Sequence, residues 1–146
     1  MKKPLFIYIG IFILLAGYGI YQSTDRVQRG MSTQEIILGE NKLIVELART
    51  SSEHARGLMH RRELAENAGM LFLFESSSLQ TFWNKNTLIP LDVIWIRGDV
   101  VIGVDVLPTI NEGLTTVSSP SEVDRVLEVN SGLAERHNIQ IGARVW

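Results

Sequence analysis

The sequence predicts a mainly β protein: a compact β sandwich or barrel-like domain with one or two short helices, after an N-terminal transmembrane helix. Three observations support this prediction. The chain contains about seven short apolar runs bounded by Gly, Asn or Pro, as strands are. Few segments have helical periodicity, and the N-terminus begins with a long uncharged apolar run. A length of 146 residues has room for one domain and an appendage.

The N-terminal segment, residues 1–24, predicts a signal-anchor. Residues 4–21 contain no charged side chain, and a helix of this length spans roughly 27 Å, close to the hydrocarbon thickness of a bilayer. Lys2 and Lys3 precede the run, which favours a single-pass protein of the inner (cytoplasmic) membrane with its C-terminal domain on the extracytoplasmic side. The alternative is a cleaved signal peptide and a secreted or periplasmic domain, although no A-x-A site follows.

The remaining composition excludes several classes of function. Residues 25–33 are a polar linker, and residues 34–146 form the predicted domain. Without residues 1–24, the chain has 14 − 2 = 12 Lys and Arg against 16 Asp and Glu, a net charge of −4, so we expect no nucleic-acid partner. With no cysteine, the chain has neither a thiol nucleophile nor a Cys-type zinc site. It lacks recognisable catalytic motifs, and we expect no metal and no cofactor.

The first part of the domain predicts a hairpin followed by short helices. Residues 35–39 and 41–49 alternate as strands around a Gly-Glu-Asn turn. Thr50 and Glu53 have the spacing of a capping box, which predicts a short helix from this point. We expect a second short helical piece over residues 61–67, closed by a glycine.

The second part of the domain is dominated by strand patterns. A tight hairpin turn is predicted at Gly98-Asp99, between two apolar runs. A polar loop is predicted over residues 108–122, and a short helical turn over 133–138. The predicted strands are 69–74, 79–83, 91–96, 100–107, 125–132 and 142–146.

The stretch "FWNKNTLIPLDVIWI" places many hydrogen-bonding side chains between two apolar segments. In strand alternation, Trp83, Lys85 and Thr87 share one side, whereas Asn84 and Asn86 share the other. Such side chains next to a proline cap backbone groups at an irregular turn. They also suit a pocket in which a cation, two amides and a hydroxyl lie beside an indole, which favours an anionic or carbohydrate-like ligand. Both interpretations stay open at this stage.

Four blocks of sequence together resemble the family known as domain of unknown function 192. The resemblance covers roughly residues 34–146 and implies a small, mostly β domain, often behind a signal peptide or anchor, with no settled activity. Asn84 departs from it, because family members usually have Met there. The replacement makes that position more polar, whether it packs in the core or lines a pocket. The blocks are "RGLMHRREL" (56–64), "GMLFLF" (69–74), "FWNKNTLIPLDVIWI" (82–96) and "VLEVNSG" (126–132).

The polar residues that match the family pattern define the candidate site, either as a ligand site or as one buried ionic network. We expect a membrane-anchored extracytoplasmic binding or accessory module for a small anionic or saccharide ligand or an envelope protein, with residues 4–21 in the membrane. The alternatives are an envelope hydrolase or lyase that uses Asp92 and Glu128 as acid and base, or a structural assembly subunit. The candidate ligand-binding residues are Arg56, Arg61, Trp83, Lys85, Asn86, Thr87, Asp92 and Glu128.

Overall fold

A computed structural model describes residues 30–146 of the chain. Residues 32–146 form one unit. The predicted membrane segment, residues 4–21, and the first part of the linker lie outside the described residues. Within residues 30–146, no helix has the length and apolar character needed to cross a membrane.

The described part of the chain is mainly β, as predicted, with eight strands and two short α-helices. The strands are β1 (Thr33–Leu38), β2 (Asn41–Ala48), β3 (Ala68–Ser78), β4 (Thr81–Trp83), β5 (Leu91–Arg97), β6 (Val100–Leu107), β7 (Thr116–Ser118) and β8 (Val123–Asn130). The helices are α1 (Ser51–Arg56) and α2 (Leu133–Arg136), and a 3-10 turn covers Ile110–Glu112.

Six strands form one mixed sheet in the order β1-β2-β3-β8-β5-β6, whereas β4 and β7 form a separate two-stranded ribbon. Only the β2–β3 pair of the sheet is parallel. The C-terminal segment bonds to both edges of this sheet: Ile37 N donates to Trp146 O (3.1 Å), and Val101 N donates to Ala143 O (2.9 Å). The C-terminal segment thus links the two edges of an otherwise open sheet. The predicted closing strand contributes two isolated bridges.

The inner face of the sheet carries the main apolar core. Leu43, Val45 and Leu47 of β2 are buried there, which confirms the alternation predicted from the sequence. Leu127 and Val129 of β8 face the same core. Because a strand has period two, the residues between them point to the other face.

The outer face of the sheet is covered by α1 and by the β4–β7 ribbon. Phe72 and Trp95 are buried on this face. The Phe82 ring from β4 packs edge-on against both, with centroid distances of 4.8 Å to Phe72 and 5.7 Å to Trp95. From α1, the His54 ring lies 5.9 Å from Phe72. This second layer encloses the candidate site.

The capping box that was predicted at the start of α1 is confirmed. Thr50 Oγ1 accepts a hydrogen bond from Glu53 N, and the Glu53 carboxylate accepts one from Thr50 N at 2.8 Å. The predicted helix over residues 61–67 is wrong, because this segment has no helical turn. The Asn130 side chain of β8 donates to the carbonyls of Leu64 and Ala65, both at 3.0 Å. Both carbonyl groups therefore accept hydrogen bonds from a strand that is distant in sequence.

Candidate functional site

A small cavity lies between α1 with its following turn, strand β4 and strand β8. The volume that the centre of a water-sized group can occupy inside it is about 20 Å3. This is space for roughly one such group. Four polar side chains contribute to its wall, namely His54, Arg56, Thr87 and Glu128. The other lining residues are Ala55, Gly57, Leu58, Met59, Phe72, Phe82 and Trp83.

Glu128 is the buried carboxyl group of this cavity, with 4% of the residue exposed. Its directly opposite neighbours are Met70 on β3 and Val93 on β5, both buried and apolar. Burial raises the pKa of Glu128 to about 8, because the ionised form loses its hydration. At neutral pH this side chain is a neutral carboxylic acid, which can both donate and accept a hydrogen bond.

Gly57 brings the backbone close over the carboxyl group of Glu128. Its φ of +48° belongs to a region that side chains disfavour. A Cβ atom there would lie 3.4 Å from the Phe72 ring and 3.7 Å from Glu128 Oε2. These are ordinary contact distances, so it is the positive φ of this turn, more than the space over Glu128, that favours glycine here.

Arg56 is the last residue of α1 and is half-buried. The ion pairs found between described residues involve other side chains and leave Arg56 out. His54 instead has a structural contact, since its Nε2 donates to Ala48 O (3.0 Å) and its ring packs 4.7 Å from the Phe74 ring. Arg56 is the one Lys or Arg residue among the described residues that line this cavity.

The turn after β4 forms the mouth of the cavity. The Trp83 side chain is 46% exposed, and Lys85 Nζ lies 4.9 Å from its ring centroid in a cation–π contact. Thr87 is buried and donates to Lys85 O (3.3 Å). Asn86 has φ +54°, and its carbonyl accepts from His60 N (2.8 Å). The same residues thus build the turn and line or border the cavity.

Asn84 fixes the neighbouring loop and does not line the cavity. It is fully buried. Its amide nitrogen lies 3.0, 3.2 and 2.8 Å from the carbonyl oxygens of Pro108, Thr109 and Gly113, and its Oδ1 accepts from Thr115 N at 2.8 Å. The polar side chain of Asn84 is therefore used for a backbone clamp.

Asp92 lies on the opposite face of the sheet from Glu128. Val93 is the residue directly opposite Glu128, so its neighbour Asp92 points to the other side. There Asp92 accepts hydrogen bonds from Gly132 N (3.0 Å) and Ala134 N (2.9 Å) at the start of α2. The two carboxyl groups do not meet, which argues against their use as an acid–base pair.

Arg61 also lies outside the cavity wall. It forms a largely buried ion pair with Glu46 on β2, with Nη2 2.6 Å from Oε2. Arg61 Nε is buried and has no hydrogen-bond partner. The candidate residues therefore do not form one ionic network: Arg61 pairs with Glu46, Asp92 caps α2, and Glu128 stands alone in its cavity.

Comparison with known proteins identifies the family. The family model DUF192 (Uncharacterized ACR) matches residues 33–146. The chain belongs to the DUF192 family. A crystal structure from Novosphingobium aromaticivorans DSM 12444, of a protein of unknown function, is 35% identical with a TM-score of 0.72, and the match covers 80% of this chain and 86% of that one.

A second similar crystal structure comes from Sinorhizobium meliloti 1021 and was provisionally assigned as a transcription regulator. It is 30% identical with a TM-score of 0.73, and the match covers 80% of this chain and 94% of that one. A comparison with curated proteins finds no match.

The structure of this DUF192 domain brings together four of the eight predicted site residues. Arg56, Trp83, Thr87 and Glu128 line one cavity. Sequence reasoning missed the contribution of the turn at residues 57–59. Its only sequence signal was the "RGLM" block, which does not reveal that this turn folds over β8.

Replacing Asp92 with alanine is expected to destabilise the protein by about 3 kcal/mol, because two buried N–H groups would lose their acceptor. Urea unfolding, followed by tryptophan fluorescence, measures this loss. Asp99→Ala is the matched control, since Asp99 forms an exposed ion pair with Arg144, and its loss should cost below about 1 kcal/mol. Equal effects of the two changes would contradict the capping role of Asp92.

Proposed function

We propose that this DUF192 domain is a binding module that takes a small anionic group, such as a carboxylate, into the cavity beside Glu128. The observation that carries the proposal is a buried carboxyl group, kept neutral by its burial, in the wall of a small cavity that Arg56 also lines. An anionic oxygen could accept a hydrogen bond from the Glu128 hydroxyl while Arg56 supplies the opposite charge. Hydrogen bonds of this charge-assisted kind are short and strong.

The size and charge of the site favour an anionic group over a saccharide. A space of about 20 Å3 for the centre of a water-sized group admits one oxygen atom of a carboxylate and excludes a sugar ring. Lys85 already lies over the exposed Trp83 ring, where a sugar would otherwise stack. Arg56 and Lys85 together place two cations at the cavity wall and its mouth.

We further propose that the domain acts at a membrane surface. The support comes from the sequence, where residues 4–21 are long and apolar enough to anchor the chain after two lysines. In this arrangement the domain faces the extracytoplasmic side, and its ligand belongs to a small solute or to an envelope protein. A role as a structural assembly subunit stays a prediction of the sequence.

The first test measures thermal unfolding of the full-length protein in a mild detergent with sodium acetate or propionate, against sodium chloride at equal ionic strength. At a carboxylate concentration ten times the Kd, mass action should raise the Tm by about 3–6 °C. The shift should be lost in Arg56→Ala. It should persist in Arg62→Ala, which removes the same side chain from an exposed position outside the cavity wall.

The pH dependence of binding provides a second readout. Wild-type Glu128 ionises near pH 8, so acetate binding should weaken between pH 7 and pH 9 through like-charge repulsion. Glu128→Gln keeps a donor and stays neutral, so its binding should not weaken in this way. A shift caused equally by glucose, or an equal acetate shift in Arg56→Ala, would contradict the proposal.

A further inference from the structure

Strand β4 leaves the backbone groups along one of its edges unpaired. It pairs with β7 and with no other strand of the described chain. Just beyond the strand, Asn84 N donates to Thr115 O (3.2 Å). In an antiparallel pair only every second residue bonds to the partner strand, so Trp83 and Thr81 are positions that do not bond to β7. The N–H and C=O groups of Trp83 and Thr81 therefore point away from β7.

This free edge lies on the cavity side of β4. Phe82 and Trp83 line the cavity together with residues 54–59, and no residue of β7 contributes to its wall in the described chain. Beyond Trp83, the Asn86 carbonyl accepts from His60 N (2.8 Å), which links the turn after β4 to the turn after α1. Unpaired strand edges of this kind pair readily with another extended chain.

We propose that the cavity receives the C-terminal carboxylate of a peptide, and that the preceding residues pair as an extended strand with the free edge of β4. The inference rests on the proposed function, since the carboxylate occupies the space beside Arg56 and Glu128. That space holds roughly one water-sized group, so it admits one carboxylate oxygen and the rest of the ligand must leave along the surface. The adjoining edge offers the backbone donors and acceptors that a peptide can use.

Charge and size also restrict the peptide. Arg56 on the wall and Lys85 at the mouth favour a free carboxylate over a C-terminal amide. The narrow space favours a small last residue, such as glycine, alanine or serine. Because β4 contains three residues, the pairing covers a short stretch, and the carboxylate contributes a large share of the affinity.

Fluorescence polarisation tests this inference with the full-length protein in detergent and a panel of fluorescein-labelled hexapeptides ending in Gly, Ala or Ser. Each peptide is compared with its C-terminal amide, which should bind at least about tenfold more weakly, a loss of about 1.4 kcal/mol. Arg56→Ala should weaken binding of the free acid by a similar factor, and Arg62→Ala should bind the free acid as the wild type does.

N-methylation of the peptide separates strand pairing from simple anion binding. Methyl groups on alternate residues remove the N–H groups that point to one side of an extended chain. A peptide whose methyl groups replace the N–H groups that face β4 should bind about tenfold or more weakly. A peptide that is methylated at the alternate residues, which face away from β4, should bind as the parent does. The two sets are matched in composition, so each controls for the other.

The outcomes distinguish the two proposals. If acetate binds but the free acids bind no more tightly than the amides, or if both methylated sets bind like the parent peptides, the peptide inference is overturned and the anion site stands. If neither acetate nor any peptide binds, both proposals fail. Tighter binding of the free acids, with sensitivity to one methylated set, supports the inference.

Discussion

Glu128→Gln is expected to stabilise the protein at pH 9 by up to about 5 kcal/mol relative to the wild type, while the two proteins have similar stability at pH 5. The reason is that Glu128 is buried between Met70 and Val93, and its pKa is raised to about 8 in the folded state. Glutamine has nearly the same shape and carries no charge at any pH. It therefore avoids the cost of burying a carboxylate.

The sign of the effect follows from the two states of the wild type. The unfolded chain releases the Glu128 proton near the ordinary value of 4.5, whereas the folded chain keeps it until about pH 8. The contribution of Glu128 to the free energy of unfolding is therefore fully present below pH 4.5. Above that pH, the free energy of unfolding falls by about 1.4 kcal/mol per pH unit until Glu128 ionises in the folded protein. Arg56 and His54 also line the cavity, but burial is the cause of the raised pKa.

Urea unfolding at pH 5, 7 and 9 measures this difference in the full-length protein. Glu63→Gln is the matched control, because Glu63 is exposed and the same chemical change should leave the pH dependence unaltered. Stability curves that run parallel for the wild type and Glu128→Gln would show that Glu128 does not hold its proton in the folded state.

Local patterns were sufficient to predict most of the sheet. The alternation of Leu43, Val45 and Leu47 identified β2 and its buried face, and the Gly98-Asp99 turn identified the β5–β6 hairpin. Each of these signals depends on residues close together in sequence. The β4–β7 ribbon was partly missed, because its strands are separated by more than 30 residues and β7 is short and polar.

The relation between Asp92 and Glu128 shows why the site was harder to predict than the fold. Both residues lie in strands that the sequence identified, and both are buried. Whether they meet depends on the register of β5 against β8, which places Val93 opposite Glu128. A shift of one residue would exchange the two faces, and neither strand's own sequence specifies that register.

Asn84→Ala is expected to destabilise the protein by about 4 kcal/mol, which is large for one polar residue. Asn84 is fully buried, and its side chain contacts four backbone groups of the segment 108–115. Alanine would remove an amide group whose two hydrogens are shared among three carbonyl oxygens, and it would leave the Thr115 N–H without its acceptor. Urea unfolding measures the loss, with Asn111→Ala as the control because Asn111 is exposed in the same loop.

Hydrogen exchange would then locate the effect of the Asn84 change. The clamped loop leads directly into β7, which pairs with β4 beside the cavity. In Asn84→Ala, the backbone N–H groups of Thr115 and Val117 should exchange faster, whereas those of β8 should keep their protection until global unfolding. A stability within about 1 kcal/mol of the wild type, with unchanged exchange in β7, would mean that the loop holds its position without Asn84. The predicted result would instead make Asn84 the residue that connects the fold of this loop to the edge of β4.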